Sequence, residues 1–249
     1  MSQLFHLIIY RPLFNALMLL YGFLPGHDVG VVIIVFGFLI KAVFYPLTKK
    51  TMMHQQKMQA ISPHLKKLKD DHKGKPEDLA KATMELYKEH QVKPLDGCLP
   101  LLIQIPLLIG LFQVFRTGFM PDALKDLYGF VPNPGTLHPF FLGIIDLSKK
   151  NIYMPLLAGA AQFVYGRFFT PKPQADGGEM AQMMAKQMVF MGPFLTFFIS
   201  LNLPSVLPFY WFVNNVFSVL EGKLIQRAKD AQDENAKGKT QKVKLQEKT

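Results

Sequence analysis

The chain carries one cysteine, Cys98. A single cysteine excludes an internal disulfide and lacks the spacing of any metal site, so its expected role is that of a small residue near a helix end. Charge is scarce too: 18% of the 249 residues are Asp, Glu, Lys or Arg, against 49% hydrophobic residues. No glycine-rich phosphate loop, paired-histidine zinc motif or Ser/His/Asp arrangement occurs, and no catalytic residue, metal or cofactor is expected. The start, MSQLFHLIIYRPLF, has neither a basic n-region nor a small-x-small site, so no cleavable signal peptide is expected.

What is present is apolar and blocky. The chain has 22 Phe and 13 Met against a single Trp, and the apolar residues gather into long runs. That distribution predicts an all-α membrane protein with one membrane domain. The expected spans are 29–48, 94–115, 152–169, 187–201 and 204–225. The last two are divided at Asn202-Leu203-Pro204, and a fourth helix of ~15 residues would reach only ~23 Å, less than the hydrocarbon thickness. Prolines 100, 106, 155, 193 and 208 fall inside spans, where each removes a backbone hydrogen bond and promotes kinking. Residues 4–24 are apolar but interrupted by Arg11-Pro12 and Asn15. An amphipathic helix in the outer interface, occupying the 1–28 segment, is the preferred reading, with a sixth span as the alternative.

Charge placement orients the chain. The 49–93 region holds eleven lysines, and eight basic residues follow from Lys223 onward. The opposite side has Arg11, Arg116, Lys125, Lys149 and Lys150. The positive-inside rule puts 49–93, the 170–186 loop and the tail in the cytoplasm and the N-terminus outside.

Within 49–93, Met58, Ile61, Leu65 and Leu68 recur at seam spacing, and Leu79, Ala82 and Leu86 repeat the stripe after a turn at 72–76. Two antiparallel helices are expected, with Ser62-Pro63 as a local restart. Their outer faces carry Lys66, Lys67, Lys69, Lys73 and Lys75, a surface suited to lipid headgroups or nucleic-acid phosphates. The tail, 228–249, is highly charged and expected to be disordered. Its lysines, Lys242 and Lys244 among them, form a basic arm for ribosomal RNA or for the membrane surface.

One charge lies inside a span. Lys41 sits in VGVVIIVFGFLIKAVFYPL (29–47); a lysine at such depth costs about 2.5–3.5 kcal/mol on insertion scales. It either snorkels toward Lys49, about 12 Å away along a helix, or faces a polar cavity. With Asp96, at a span end, as the one carboxylate weighed against it, Lys41 is expected to lack an ion-pair partner. Water, backbone carbonyls and the amides of Gln104, Gln113, Gln162, Asn214 and Asn215, near Trp211, would then solvate it. Such amides are ordinarily interhelical glue; an unpaired cation among them favours an aqueous groove.

Several segments resemble the YidC/Oxa/Alb membrane protein insertases. These are KAVFYPLTKK (41–50), MQAISP (58–63), MELYKEH (84–90), VKPLDGCLPLLIQIP (92–106) and FYW (209–211) followed by Asn214-Asn215. The resemblance covers roughly 4–227, and 97–106 is its most specific part. It implies a five-helix core (29–227) with a cytoplasmic hairpin and a hydrophilic groove open to cytoplasm and lipid but closed to the outside. Lys41 takes the place of the family's basic groove residue, commonly arginine in bacterial members, and Gln104 and Trp211 match other groove positions. Gln162 is the third-helix counterpart, or Tyr165 one turn on. The chain is expected to lack the large periplasmic domain and the lipoprotein-type signal peptide of other members.

The function so implied is non-enzymatic insertion of nascent membrane proteins into the bacterial inner membrane. Its implied partners are the ribosome, the signal recognition particle and its receptor, the Sec translocon and membrane lipids. A small-solute transporter with Lys41 as an anion site, and a scaffold subunit, are the alternatives.

Overall fold

Helices make up most of the computed structural model, which describes residues 3–92, 99–117, 121–135, 137–169 and 178–246. Lys93, Asp96, Cys98 and residues 170–177 of the expected cytoplasmic loop lie outside the described residues. The helices are α1 (Gln3–Phe5), α2 (Arg11–Phe23), α3 (Val29–Asp71), α4 (Pro76–Glu89), α5 (Leu99–Thr117), α6 (Tyr153–Phe169), α7 (Gly178–Ser200) and α8 (Val206–Gln246).

α1 and α2 are joined through a π turn, His6–Tyr10, into one apolar stretch, Gln3–Phe23, that is long enough to cross a bilayer. Pro12 does not break it: it follows the π turn directly, and the chain stays helical through Tyr10 and Arg11 on either side of that junction. One face is buried through Tyr10, Phe14, Leu17, Met18 and Tyr21, while Leu4, Leu7, Ile8 and Phe23 are exposed.

Asp28 starts α3 by accepting a hydrogen bond from the Val31 N–H at 2.9 Å. The helix then runs for 43 residues, about 65 Å, so the first span and the first arm of the hairpin are one rod. The expected restart at Ser62-Pro63 does not occur: Pro46 and Pro63 both lie inside α3. Each removes one hydrogen bond, which neighbouring backbone and packing make tolerable. α4 opens with Pro76 and has Glu77 and Asp78 in its first turn, favourable to the helix dipole. Ile61 and Leu86 are buried, and the His64 and His90 rings come within 5.7 Å. The two apolar stripes therefore face each other.

Two boundaries differ from expectation. α7 spans 23 residues, starting at Gly178 rather than near Gln187. It is thus about 35 Å long and not shorter than the hydrocarbon core. α8 continues to Gln246, through most of the tail expected to be disordered. Polar side chains mark a change of surroundings, not the end of a helix, and Ala, Lys, Gln and Glu are good helix formers.

One end of the bundle is closed by a polar clasp and a small hairpin. Asn15, buried on α2, donates from Nδ2 to the Arg11 carbonyl at 2.8 Å and to the Asp126 carbonyl at 2.9 Å. Its Oδ1 accepts from the Tyr128 N–H at 2.6 Å. His6 and Arg11 add contacts to Asp126, at the end of a 3-10 turn, Pro121–Asp126. Strands β1 (Phe140–Phe141) and β2 (Ile145–Asp146) pair antiparallel, with Leu142 and Gly143 both at positive φ in the turn. Phe141 fills the space where a Gly30 side chain would stand and lies 4.8 Å from the Phe209 ring. The Val206 N–H donates to the Leu147 carbonyl at 2.9 Å, fixing the start of α8.

Beneath this cap lies the main core, built from α2, the first part of α3, α5 and the start of α8, with Phe14, Ile33, Leu111, Leu207 and Tyr210 nearly inaccessible. A second, smaller cluster of Met52, Phe169 and Ile225 sits toward the other end. Outward faces are apolar: Leu156 and Phe168 on α6, Phe190, Phe194 and Phe198 on α7, and Leu220 and Leu224 on α8 are exposed. Val29–Met58 is a second stretch long and apolar enough to cross a bilayer, and Val189–Ser200 is a shorter apolar one.

Asn15→Ala leaves the Tyr128 N–H and the Asp126 carbonyl without this partner. It should lower thermal stability in detergent by about 2 kcal/mol or more and speed proteolysis near 121–135. Melting and limited digestion at wild-type levels would mean that the clasp is not structural.

Candidate functional site

Lys41 lies between the two clusters and reaches from α3 to α8. Its Nζ donates to Ser218 Oγ at 2.7 Å and stands 3.5 Å from Glu221 Oε2. Ser218 Oγ in turn donates to the Asn214 carbonyl at 2.8 Å. The Lys41 side chain is 21% exposed and that of Glu221 7%. The expectation that Lys41 lacks a carboxylate partner is therefore overturned. Glu221 lies inside the 204–225 span itself, so a carboxylate was present within the spans after all.

The spacing explains why Ser218 and Glu221 arrive together. Trp211, Asn214, Ser218, Glu221 and Ile225 fall three and four residues apart, which puts them on one face of a helix. That period was present in the sequence, and following it past Asn215 finds both residues. Glycines stand near the ion pair at two helix contacts, Gly37 of α3 against α8 and Gly222 of α8 against α6. Gly37 lies against Val213 and Phe217, and Gly222 lies against the Phe169 ring, which a Cβ there would strike. Phe38 and Phe217 meet edge to face at 6.0 Å.

The other expected groove residues divide. The Thr196 hydroxyl donates to Gln162 Oε1, joining α6 to α7. Tyr165, one turn further on α6, is the residue within electrostatic reach of Glu221, and it stacks on Phe169 with ring centroids 5.8 Å apart. Gln104 lies against the Tyr210 hydroxyl, which has no partner at normal hydrogen-bond distance among the described residues. Asn215 donates from Nδ2 to the Trp211 carbonyl at 2.9 Å, within its own helix. Trp211 is half-buried against the main core. One oxygen of the buried Glu221, Oε1, also has no hydrogen-bond partner among the described residues.

Past the ion pair, α3 and α8 border a hollow of about 300 Å³ lined by Lys49, Met53, Lys57, Ile225, Ala228 and Lys229. Three ammonium groups thus surround an apolar floor. Farther out, Lys66, Lys67, Lys69, Lys73 and Lys75 are exposed on the hairpin, Lys73 pairing with Asp70 at 3.0 Å. Lys242 and Lys244 fall where only the backbone of α8 is described.

The family model described as 60Kd inner membrane protein matches residues 19–233. The chain belongs to the YidC/Oxa/Alb family. Among curated relatives, the membrane protein insertase YidC of Geobacter sp. (strain M21) is 35% identical over 219 residues, covering 87% of this chain and 36% of the relative. That of Francisella philomiragia subsp. philomiragia is 38% identical over 200 residues, covering 80% and 32%. That of Wolinella succinogenes is 33% identical over 231 residues, covering 92% and 39%. The chain therefore matches about a third of the length of these relatives.

Coupling between Lys41 and Glu221 is measurable as stability. Glu221→Leu strands a buried ammonium and should cost about 3 kcal/mol or more, whereas Lys41→Leu combined with Glu221→Leu should restore most of it. Thermal melts of both singles and the double variant check this; losses that simply add would mean that the two side chains do not interact.

Proposed function

We propose that the chain is a membrane protein insertase and chaperone that passes nascent membrane proteins from the cytoplasm into the bilayer through a hydrophilic groove. It would act alone or beside the Sec translocon. In this reading α3, α5, α6, α7 and α8 form a five-helix core in a bacterial inner membrane. The distal half of α3 and α4 form a cytoplasmic hairpin, the N-terminus lies outside and the C-terminus lies inside. The observation that carries the reading is Lys41, a charge at membrane depth facing the polar stripe of α8, in a chain whose relatives are named insertases.

The physics follows from where polar and apolar surfaces stand. A polar tail leaving water for the groove exchanges hydration for the ammonium, hydroxyl and amide groups along α3 and α8, which lowers the desolvation cost of crossing. The packed core beneath the hairpin cap supports closure toward the outside. The apolar segment of the substrate would move into lipid along the exposed faces of α6 and α8. α6, with 17 residues, is about 26 Å long, which favours local thinning of the bilayer. The lysines of the hairpin and tail are suited to recruiting the ribosome, or the signal recognition particle and its receptor, through phosphate-rich or acidic surfaces.

Expression of the chain should rescue a cell depleted of its own insertase; well-expressed protein that fails to rescue would sink the proposal. Lys41→Ala should reduce insertion of substrates with acidic translocated tails several-fold more than that of neutral ones, because the attraction lost is electrostatic. Equal insertion of both classes by the variant would remove Lys41 from the mechanism.

A further inference from the structure

We infer that Glu221 is a built-in competitor for Lys41, so that an acidic residue in a translocating segment engages the ammonium by displacing this carboxylate. The inference rests on the insertase reading above and adds to it a residue that sets which tails the groove favours.

Three observations carry it. Lys41 makes its short contact with Ser218, at 2.7 Å, while Glu221 stands at 3.5 Å. The hydroxyl therefore holds the ammonium in place and the carboxylate is the looser partner. Second, Glu221 is buried, yet Oε1 has no hydrogen-bond partner among the described residues. A carboxylate held by its own donors would resist displacement; this one is held mainly by attraction to Lys41. Third, the cation is a lysine. A guanidinium presents a fork of donors that can serve two carboxylates side by side, whereas an ammonium is a compact point charge. Two carboxylates near one ammonium repel each other and compete for it.

The consequence is a site with no net charge at rest. Neutral tails meet neither attraction nor repulsion from the pair, and acidic tails gain only the difference between their contact and that of Glu221. Removing the competitor should therefore sharpen selectivity for acid rather than abolish insertion. Glu221→Gln keeps the size of the side chain and an acceptor oxygen while removing its charge.

The test uses the full chain in insertase-depleted cells with two reporters that share one apolar segment. Their translocated tails differ only in carrying aspartates or asparagines, and the readout is the ratio of acidic to neutral translocation by protease accessibility. Glu221→Gln should raise this ratio by roughly two- to fivefold, and Lys41→Gln combined with Glu221→Gln should remove the rise. An unchanged ratio with both reporters inserting overturns the role of Glu221, as does a rise that persists without Lys41. A wild-type chain that inserts neither reporter overturns the insertase reading itself. If Glu221→Gln fails to accumulate on immunoblots, Glu221→Asp takes its place: it draws the carboxylate back by one methylene and should raise the ratio less. No rise there overturns the inference.

Discussion

The contact between Lys41 and the Ser218–Glu221 turn organises the membrane region, because it joins the two longest helices at the depth where a free charge is least tolerable. An ammonium in hydrocarbon must find water, a dipole or an opposite charge. Here α8 supplies a hydroxyl and a carboxylate one turn apart, and the two helices are held in register by that demand. Gly37, set against Val213 and Phe217, lets α3 approach α8 closely enough for the contact. Packing and electrostatics thus fix the same pair of helices for different reasons.

The two ends of the bundle are built by different chemistry. One end is closed by backbone groups finding partners. Asn15 takes up the Asp126 carbonyl and the Tyr128 N–H, while a short hairpin seats Phe141 on Gly30 and Phe209. The other end opens around Lys49, Lys57 and Lys229, with an apolar floor. Lys41 stands between a packed, apolar half and a more basic one.

Much of the helical layout was legible in the sequence. The apolar runs, the paired stripes of the hairpin and the lone intramembrane lysine all follow from periodicity and hydropathy, and the 97–106 motif led to the family. Helix ends were the weak point. The stretch before Gln187, with Gln182 and Lys186, was read as loop, and the charged tail as disordered, although residues of high helix propensity extend α7 and α8. Ser62-Pro63 was read as a restart because local rules for proline do not include the neighbours that steady a long helix. The direction in which Gln162 faces is not written in its own span, because its partner, Thr196, belongs to another helix.

By itself, then, the sequence determined that this is a helical membrane protein with a basic region of paired apolar stripes, and that one lysine lies within an apolar run at a cost. Composition and period are local properties, and they carry that much. Only the tertiary structure decided the company Lys41 keeps. Ser218 and Glu221 lie far from it along the chain, and their contact depends on how two helices cross. The charge that sequence reasoning left unpaired is half of a pair.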